Sequence, residues 1–292
     1  MRILVIGAQG QVGWELTRRA AALGHDVLAW DVAELDIADA DAVNRTLATL
    51  GMEVVINAAA YTAVDKAEQE PALAFAVNRD GPAHLAAACA RLKIPLLHIS
   101  TDYVYDGAKS GPYVENDPTG PLGVYGASKL AGDEAVRQSL PRHLILRVSW
   151  VFGVHGHNFV KTILRLARER EELRVVADQH GCPTFAGDIA DVLLELAGRV
   201  AEIDARDAWG VYHYRGEPAT TWHGFASTII AMARQREPLS VQTVTAIATA
   251  DYPLPSARPV NSVLDCAKLA ARFGIQPCPW QPGLAALLAS NA

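Results

Sequence analysis

Short apolar runs alternate through the first half of the chain with stretches whose apolar residues recur three or four positions apart. The runs predict buried strands, and the stretches predict helices packed on them. Residues 2–6 form the first strand, and Val12, Leu16 and Ala20 mark one face of the helix that follows. Further strands are predicted at 26–30, 52–56, 94–99 and 143–148. Helices are predicted at 71–92, with a break near Gly81-Pro82, and at 125–138. Residues 106–123, rich in Gly, Pro, Asp and Asn, predict a loop. Strands separated by helices imply parallel β-α-β units with right-handed crossovers. A ligand then belongs at the carboxyl ends of the strands: Gly7, Asp31, Asn57 to Thr62, Ser100 to Asp102, and Ser149-Trp150.

The pattern loosens beyond residue 150. Helices are predicted at 158–170, 188–199 and 222–234, strands at 173–176 and 210–214, and proline-rich coil at 252–259. The expected architecture is α/β: a Rossmann-type doubly wound parallel sheet with a smaller C-terminal α/β part. Residues 1–150 form the dinucleotide-binding domain, with late elements from about 174–208. Residues 151–292 form mainly the substrate-binding domain, interleaved with the first.

The turn after the first strand carries the most chemical information. Gly7, Gly10 and Gly13 give G-x-x-G-x-x-G between strand and helix, the arrangement that holds a dinucleotide pyrophosphate. The first glycine permits the tight turn, the second lets backbone approach phosphate, and the third lets helix pack on strand. The helix start then offers free N–H groups and a positive dipole end to an anion. Asp31 ends the second strand about 20 residues further on, where a carboxylate accepts from ribose hydroxyls. That favours NAD over NADP; the alternative is a polar residue that merely ends a strand.

Composition narrows the classes. The chain has 292 residues, half of them hydrophobic, enough for a large core. Net charge is −6, the pI is about 5.8 and no basic cluster occurs, which argues against a nucleic-acid partner. No apolar run approaches the roughly 20 residues of a membrane span. The first strand and glycine turn occupy the place of a signal peptide. Cys89, Cys182, Cys266 and Cys278 lack C-x-x-C spacing and predict reduced structural thiols, hence a cytoplasmic protein. His155 and His157 lack further ligands nearby in sequence and predict a loop pair, not a metal site.

Tyr125 and Lys129 form Tyr-x-x-x-Lys at the start of a predicted helix, with both side chains on one face. A cation beside a phenol lowers a pKa that is ordinarily about 10, which suits proton exchange with a carbonyl or alcohol. Tyr105 and Lys109 repeat the spacing, but in a Gly-rich loop where the side chains need not share a face. Ser100-Thr101-Asp102 follows a strand, so Thr101 is placed to hydrogen-bond a substrate carbonyl beside Tyr125; the alternative is a plain strand end.

Glycine turn, Asn-Ala-Ala-Ala at 57–60, Ser-Thr-Asp and Tyr-x-x-x-Lys, in this order, resemble the extended short-chain dehydrogenase/reductases. Segments 10–16, 57–68, 100–105, 124–132, 146–153, 158–162, 178–184, Thr221-Trp222 and 257–262 resemble the dTDP-4-dehydrorhamnose reductase family. The resemblance spans nearly the whole chain. It implies reduction of the 4-keto group of a dTDP-sugar, dTDP-4-dehydro-L-rhamnose, with NADPH or NADH. It implies Tyr125 as proton donor, Lys129 as its electrostatic partner and ribose ligand, and Thr101 as the group polarising the carbonyl. Gly10, Gln11, Val12, Asp31, Asp36, Ile37, Ala60, Tyr61 and Thr62 match cofactor positions. Asp102 and Trp150 match substrate contacts, with a core aromatic as the alternative for Trp150. Arg258 is the expected cation for the nucleotide diphosphate. Some members dimerise through magnesium held by glutamates. Glu15 matches one ligand position, but the next falls at Gly187, beside Asp188, and the chain ends at Ala292. The expectation is therefore no metal and a monomer or weak homodimer.

Two rival functions stand beside this one. The first is another sugar-nucleotide ketoreductase or an epimerase; a dehydratase would carry Asp-Glu where Asp102 is followed by Tyr103. The second is a cofactor-bound regulatory subunit without catalysis, against which Thr101, Tyr125 and Lys129 argue.

Overall fold

The computed structural model describes residues 1–200 and 208–290. Strands β1 (Arg2–Ile6), β2 (Asp26–Trp30), β3 (Val54–Asn57), β4 (Leu96–Thr101), β5 (His143–Val148) and β10 (Gly210–Tyr214) form a sheet in the order β10-β5-β4-β3-β1-β2. Every neighbouring pair is parallel. The order reverses between β1 and β3, which opens a crevice at their carboxyl ends. The other strands pair two by two: β6 (Val151–Phe152) with β9 (Thr184–Phe185), β7 (Glu172–Val176) with β13 (Thr243–Ile247), β8 (His180–Gly181) with β12 (Thr220–Thr221), and β11 (Gly216–Glu217) with β14 (Cys278–Pro279).

Alternation along β1 divides the core into two layers. Ile3 and Val5 join Leu16 of α1 (Gln11–Ala22), Ile189 and Leu193 of α8 (Ala186–Arg199), and Phe273 of α10 (Ala267–Phe273). Leu4 and Ile6 join Val43 of α2 (Ala40–Leu50), Leu85 of α5 (Gly81–Leu92) and Val136 of α6 (Val124–Ser139). Each such fully buried side chain contributes about 1.5–3 kcal/mol. A third cluster lies among α7 (Phe159–Glu169), α9 (Trp222–Ala233), α11 (Gln281–Ser290) and β7, centred on Ile163, Phe225 and Leu284.

Two elements differ from the hydrophobic pattern. Helix α2 is absent from the predicted elements, although Val43, Leu47 and Leu50 recur at helical spacing and its caps are written in the sequence. Asp39 accepts from Ala42 N at 2.9 Å, and Gly51 closes the helix at φ +60°. The break expected near Gly81-Pro82 is instead a widened turn. After α3 (Val64–Ala67) and α4 (Pro71–Phe75), residues Ala76–Asp80 run as a π-helix, with Gly81 N–H bonded to Ala76 O. Pro82 has no N–H to offer the carbonyl four residues back, at Asn78, so the chain gains a residue per turn before α5 resumes.

No helix among the described residues is long and apolar enough to cross a membrane. All four cysteines are unpaired, and three of them are buried.

Candidate active site

The glycine turn is shaped by close backbone approach. Gly7 sits at φ +81°, and a Cβ there would lie 2.5 Å from Ala59 N. A Cβ on Gly13 would lie 2.0 Å from the Gly7 carbonyl oxygen, so only hydrogen fits where α1 crosses β1. Gly10 is less constrained: its Cβ would lie 3.3 Å from Gly7 O, a close contact that a shift of a few tenths of an ångström relieves. Gly10 is also the N-cap of α1 and offers no side-chain cap, which leaves the first N–H groups of α1 open to an anion.

A cleft of about 600 Å³ opens at this helix start, walled by Gln11 and Val12 on one side and Thr101, Tyr125, Lys129 and Trp150 on the other. A second cavity of about 460 Å³ adjoins it through Gln9, Gly10, Ala58 and Ala60 and runs to Asp31, Asp36 and Ile37. Asp31 is more than a strand end: its Oδ2 accepts from Gln9 N at 2.9 Å and its Oδ1 from Val32 N at 2.9 Å. It thereby fixes the glycine turn while its remaining lone pairs face the cavity. Tyr61 lines this end and Thr62 the larger cleft.

Asn78, which the sequence pattern did not single out, clamps the middle of the groove. Its Oδ1 accepts from Tyr61 N (2.8 Å), and its Nδ2 donates to Tyr61 O and to Ser128 Oγ (both 3.0 Å). Ser128 Oγ in turn donates to the Tyr125 carbonyl.

At the reactive end, Tyr125 is half-buried and lines the cleft beside Thr101. Desolvation pushes the phenol up to about 12; the nearby Thr101 hydroxyl opposes this, and the charges of Asp102 and Asp133 add to it. Lys129 follows one turn on in α6, yet it does not depress the phenol as its spacing suggested. Its Nζ donates to Ile99 O at 2.7 Å and lies 3.4 Å from His98 Nε2. Burial lowers its own pKa to about 8, against the pull of Asp133. Thr101 Oγ1 donates to Asp102 Oδ1 at 3.1 Å and accepts from Tyr103 N. Burial raises the Asp102 carboxyl to about 6, opposed by the hydroxyls of Ser262, Ser149 and Thr101.

Trp150 forms the far wall. Its backbone lies at φ +44°, rare for a bulky residue and a mark of strain held by its surroundings. Those surroundings are Trp222, stacked at 3.5 Å with rings within 6°, and Gly181, where a Cβ would meet the indole at 2.3 Å. Arg258 is not among the residues lining the cleft. It donates to Asp65 Oδ1 (2.9 Å) and sits 6.0 Å over the Tyr103 ring, at the rim. Glu15 is buried and accepts from both Arg18 and Arg19, and Gly187 lies against the Arg19 guanidinium. The second Tyr-x-x-x-Lys diverges: Tyr105 is buried against His213 and Arg147, while Lys109 pairs with Asp117. His155 stacks on Trp14 and meets the Gln9 carbonyl, and His157 lines the cleft.

Sheet order, glycine turn and the helix carrying Tyr125 and Lys129 define an α/β protein of the extended short-chain dehydrogenase/reductase class. The family described as "RmlD substrate binding domain" matches residues 1–292, and the chain belongs to it. The dTDP-4-dehydrorhamnose reductase of Aggregatibacter actinomycetemcomitans is 47% identical over 285 residues, covering 97% of each chain. A crystal structure of a dTDP-4-dehydrorhamnose reductase from Clostridium acetobutylicum superposes with a TM-score of 0.92 at 36% identity, over 99% of both chains. Another from Bacillus anthracis, in complex with NADP, superposes at 0.91 with 33% identity, over 99% of this chain and 98% of that one.

Proposed function

We propose that this protein reduces the 4-keto group of dTDP-4-dehydro-L-rhamnose to give dTDP-L-rhamnose, using a reduced nicotinamide dinucleotide. The observation that carries the reading is the placement of Thr101 and Tyr125 side by side at the end of a groove that begins at Asp31 and passes the open start of α1. Its support from kinship is the 47% identity over 97% of the chain to a reductase of that name.

The residues present fit the dinucleotide. A Cβ-free position at Gly10 and uncapped N–H groups suit a pyrophosphate, and the Asp31 carboxylate suits a ribose diol. Asp36, Ile37 and Tyr61 line the same cavity, and Ala60 and Thr62 continue towards Lys129. Either NADH or NADPH serves in this reading, since a 33% identical neighbour carries NADP. When bound, the cofactor supplies the hydride that the sugar carbon receives. The protein does the rest. Thr101 and Tyr125 hydroxyls hold the carbonyl oxygen, and Tyr125, a protonated acid throughout neutral pH, gives that oxygen its proton. Lys129 holds the ribose, Asp102 fixes Thr101, and Trp150 packs against the sugar nucleotide. Arg258 meets the diphosphate from the rim. The cluster around α7, α9 and α11 belongs to the substrate-binding part, and residues 201–207 of the late elements lie outside the described residues. With Glu15 engaged by two arginines, the protein acts as a monomer or weak dimer without magnesium. A magnesium-dependent doubling of its molar mass in solution contradicts that.

The test is loss of NADH absorbance with the keto-sugar nucleotide formed in situ. Wild type turns over. Tyr125→Phe loses about 10²–10⁴-fold in kcat while its NADH affinity is unchanged. No turnover with either cofactor sinks the assignment of this sugar.

A further inference from the structure

A buried polar chain runs behind Lys129, away from the cleft. Ala59 N donates to Asn57 Oδ1 at 3.1 Å, which orients the Asn57 amide so that its Nδ2 donates to His98 Nδ1, also at 3.1 Å. Burial, followed by the charges of Lys129 and His143, holds His98 well below the usual imidazole range, so it is neutral. A neutral imidazole that accepts at Nδ1 carries its proton on Nε2. That N–H lies between Lys129 Nζ at 3.4 Å and Asp133 Oδ1 at 4.0 Å. An ammonium cannot accept it. Asp133 Oδ1 is the acceptor that faces it, at 4.0 Å beyond direct hydrogen-bond distance and with no hydrogen-bond partner of its own, while Asp133 Oδ2 accepts from Arg147 Nε at 3.1 Å. Asn57, His98, Lys129, Asp133 and Arg147 are each at most 2% exposed, so their charges act at low dielectric.

We propose that Asn57, His98 and Asp133 form an orienting chain for Lys129: Asp133 is the buried counter-ion that keeps it an ammonium, and His98, locked in one tautomer, spaces the two. The proposal rests on the reading that Lys129 binds the cofactor as a cation. Asp133 and His98 are positioning residues; neither lines the cleft.

The titratable groups packed around Lys129 are Tyr125 and Asp133 on α6, His98 on β4, Asp102 just after it, and His143 and Arg147 on β5. Burial draws the ammonium down to about 8, and Asp133 is the one charge that raises it. Without Asp133 the proton is therefore lost at lower pH. NADH affinity, followed by fluorescence titration across pH, reads this without any sugar substrate. In wild type the affinity falls on the alkaline side, and Lys129→Met abolishes that limb. In Asp133→Asn the limb moves to lower pH by about one unit or more, and Asp133→Glu restores it. Tyr105→Phe, which cuts the network beyond Arg147, lowers the melting temperature and leaves the limb in place. Should Asp133→Asn not fold, Asp133→Leu with Arg147→Met removes both charges together and avoids an unpaired buried ion; it shows the same displacement. No limb in wild type, a limb that stays in place without Asp133, or an equal shift in Tyr105→Phe overturns the proposal. Failure of the keto-sugar assay with a displaced limb overturns only the substrate.

Discussion

The two walls of the cleft are made of different material. The wall at β1 and α1 is backbone: Gly7, Gly10 and Gly13 bring main chain to within contact of main chain, and Asp31 ties the turn through backbone N–H groups. The facing wall is side chain: Trp150 stacked on Trp222, and Tyr125 beside Thr101. Where backbone meets backbone, at Gly7 and Gly13, no added atom is tolerated. Side-chain walls can be rebuilt, but each depends on residues far away in sequence.

The sharpest way to break that contrast is at the glycines. Gly13→Ala puts a methyl 2.0 Å from a carbonyl oxygen and is expected to cost more than about 3 kcal/mol, seen as a collapse of the thermal transition. Gly10→Ala, with a 3.3 Å contact that a small shift relieves and a poorer N-cap, is expected to cost no more than about 1 kcal/mol. It still weakens NADH binding about tenfold, because its methyl faces the anion site. Equal stability losses at the two positions contradict the distinction drawn between them.

On the other wall, Asp102 ranks next. Its carboxyl titrates near 6, above the ordinary carboxylate value, so the fold favours its protonated form. The stability this brings is complete below the ordinary value and is lost as pH rises through about 6. Asp102→Asn is therefore expected to gain roughly 1–3 kcal/mol near pH 8 and nothing near pH 4, with the amide Oδ1 still accepting from Thr101. A gain that does not depend on pH refutes the assignment. The smallest effect concerns Trp150. Alanine at φ +44° pays about 1 kcal/mol that glycine does not, so Trp150→Gly is expected to melt above Trp150→Ala, against the usual order.

The same contrast explains what could be read without coordinates. Parallel sheet, glycine turn and the helix of Tyr125 and Lys129 follow from spacing within a few residues. Helix α2 was equally legible, through Asp39, Gly51 and the helical spacing of Val43, Leu47 and Leu50, yet it is absent from the expected elements. Asn78, His98 and Asp133 were not legible. Each is an ordinary polar residue until a partner arrives from another element: Ser128 for Asn78, Asn57 for His98, Arg147 for Asp133. The one available signal was a His and an Arg inside apolar strands, His98 in β4 and Arg147 in β5, where polar groups need buried partners. The spacing of Tyr125 and Lys129 was read correctly as a shared helix face. Its electrostatic corollary fails because the ammonium turns to Ile99 and His98.

The π-turn at Ala76–Asp80 makes Asn78 a mechanical link between the two ends of the groove. Its amide grips Tyr61, beside the Asp31 end, and Ser128, which holds the carbonyl of Tyr125 at the other. Its own carbonyl presses on Gly132 of α6, where a Cβ would come within 2.0 Å. Trimming the turn by one residue to a regular helix would rotate Asn78 by roughly 100° and release both grips at once. One side chain thus ties the backbone at Tyr61 to the backbone at Tyr125.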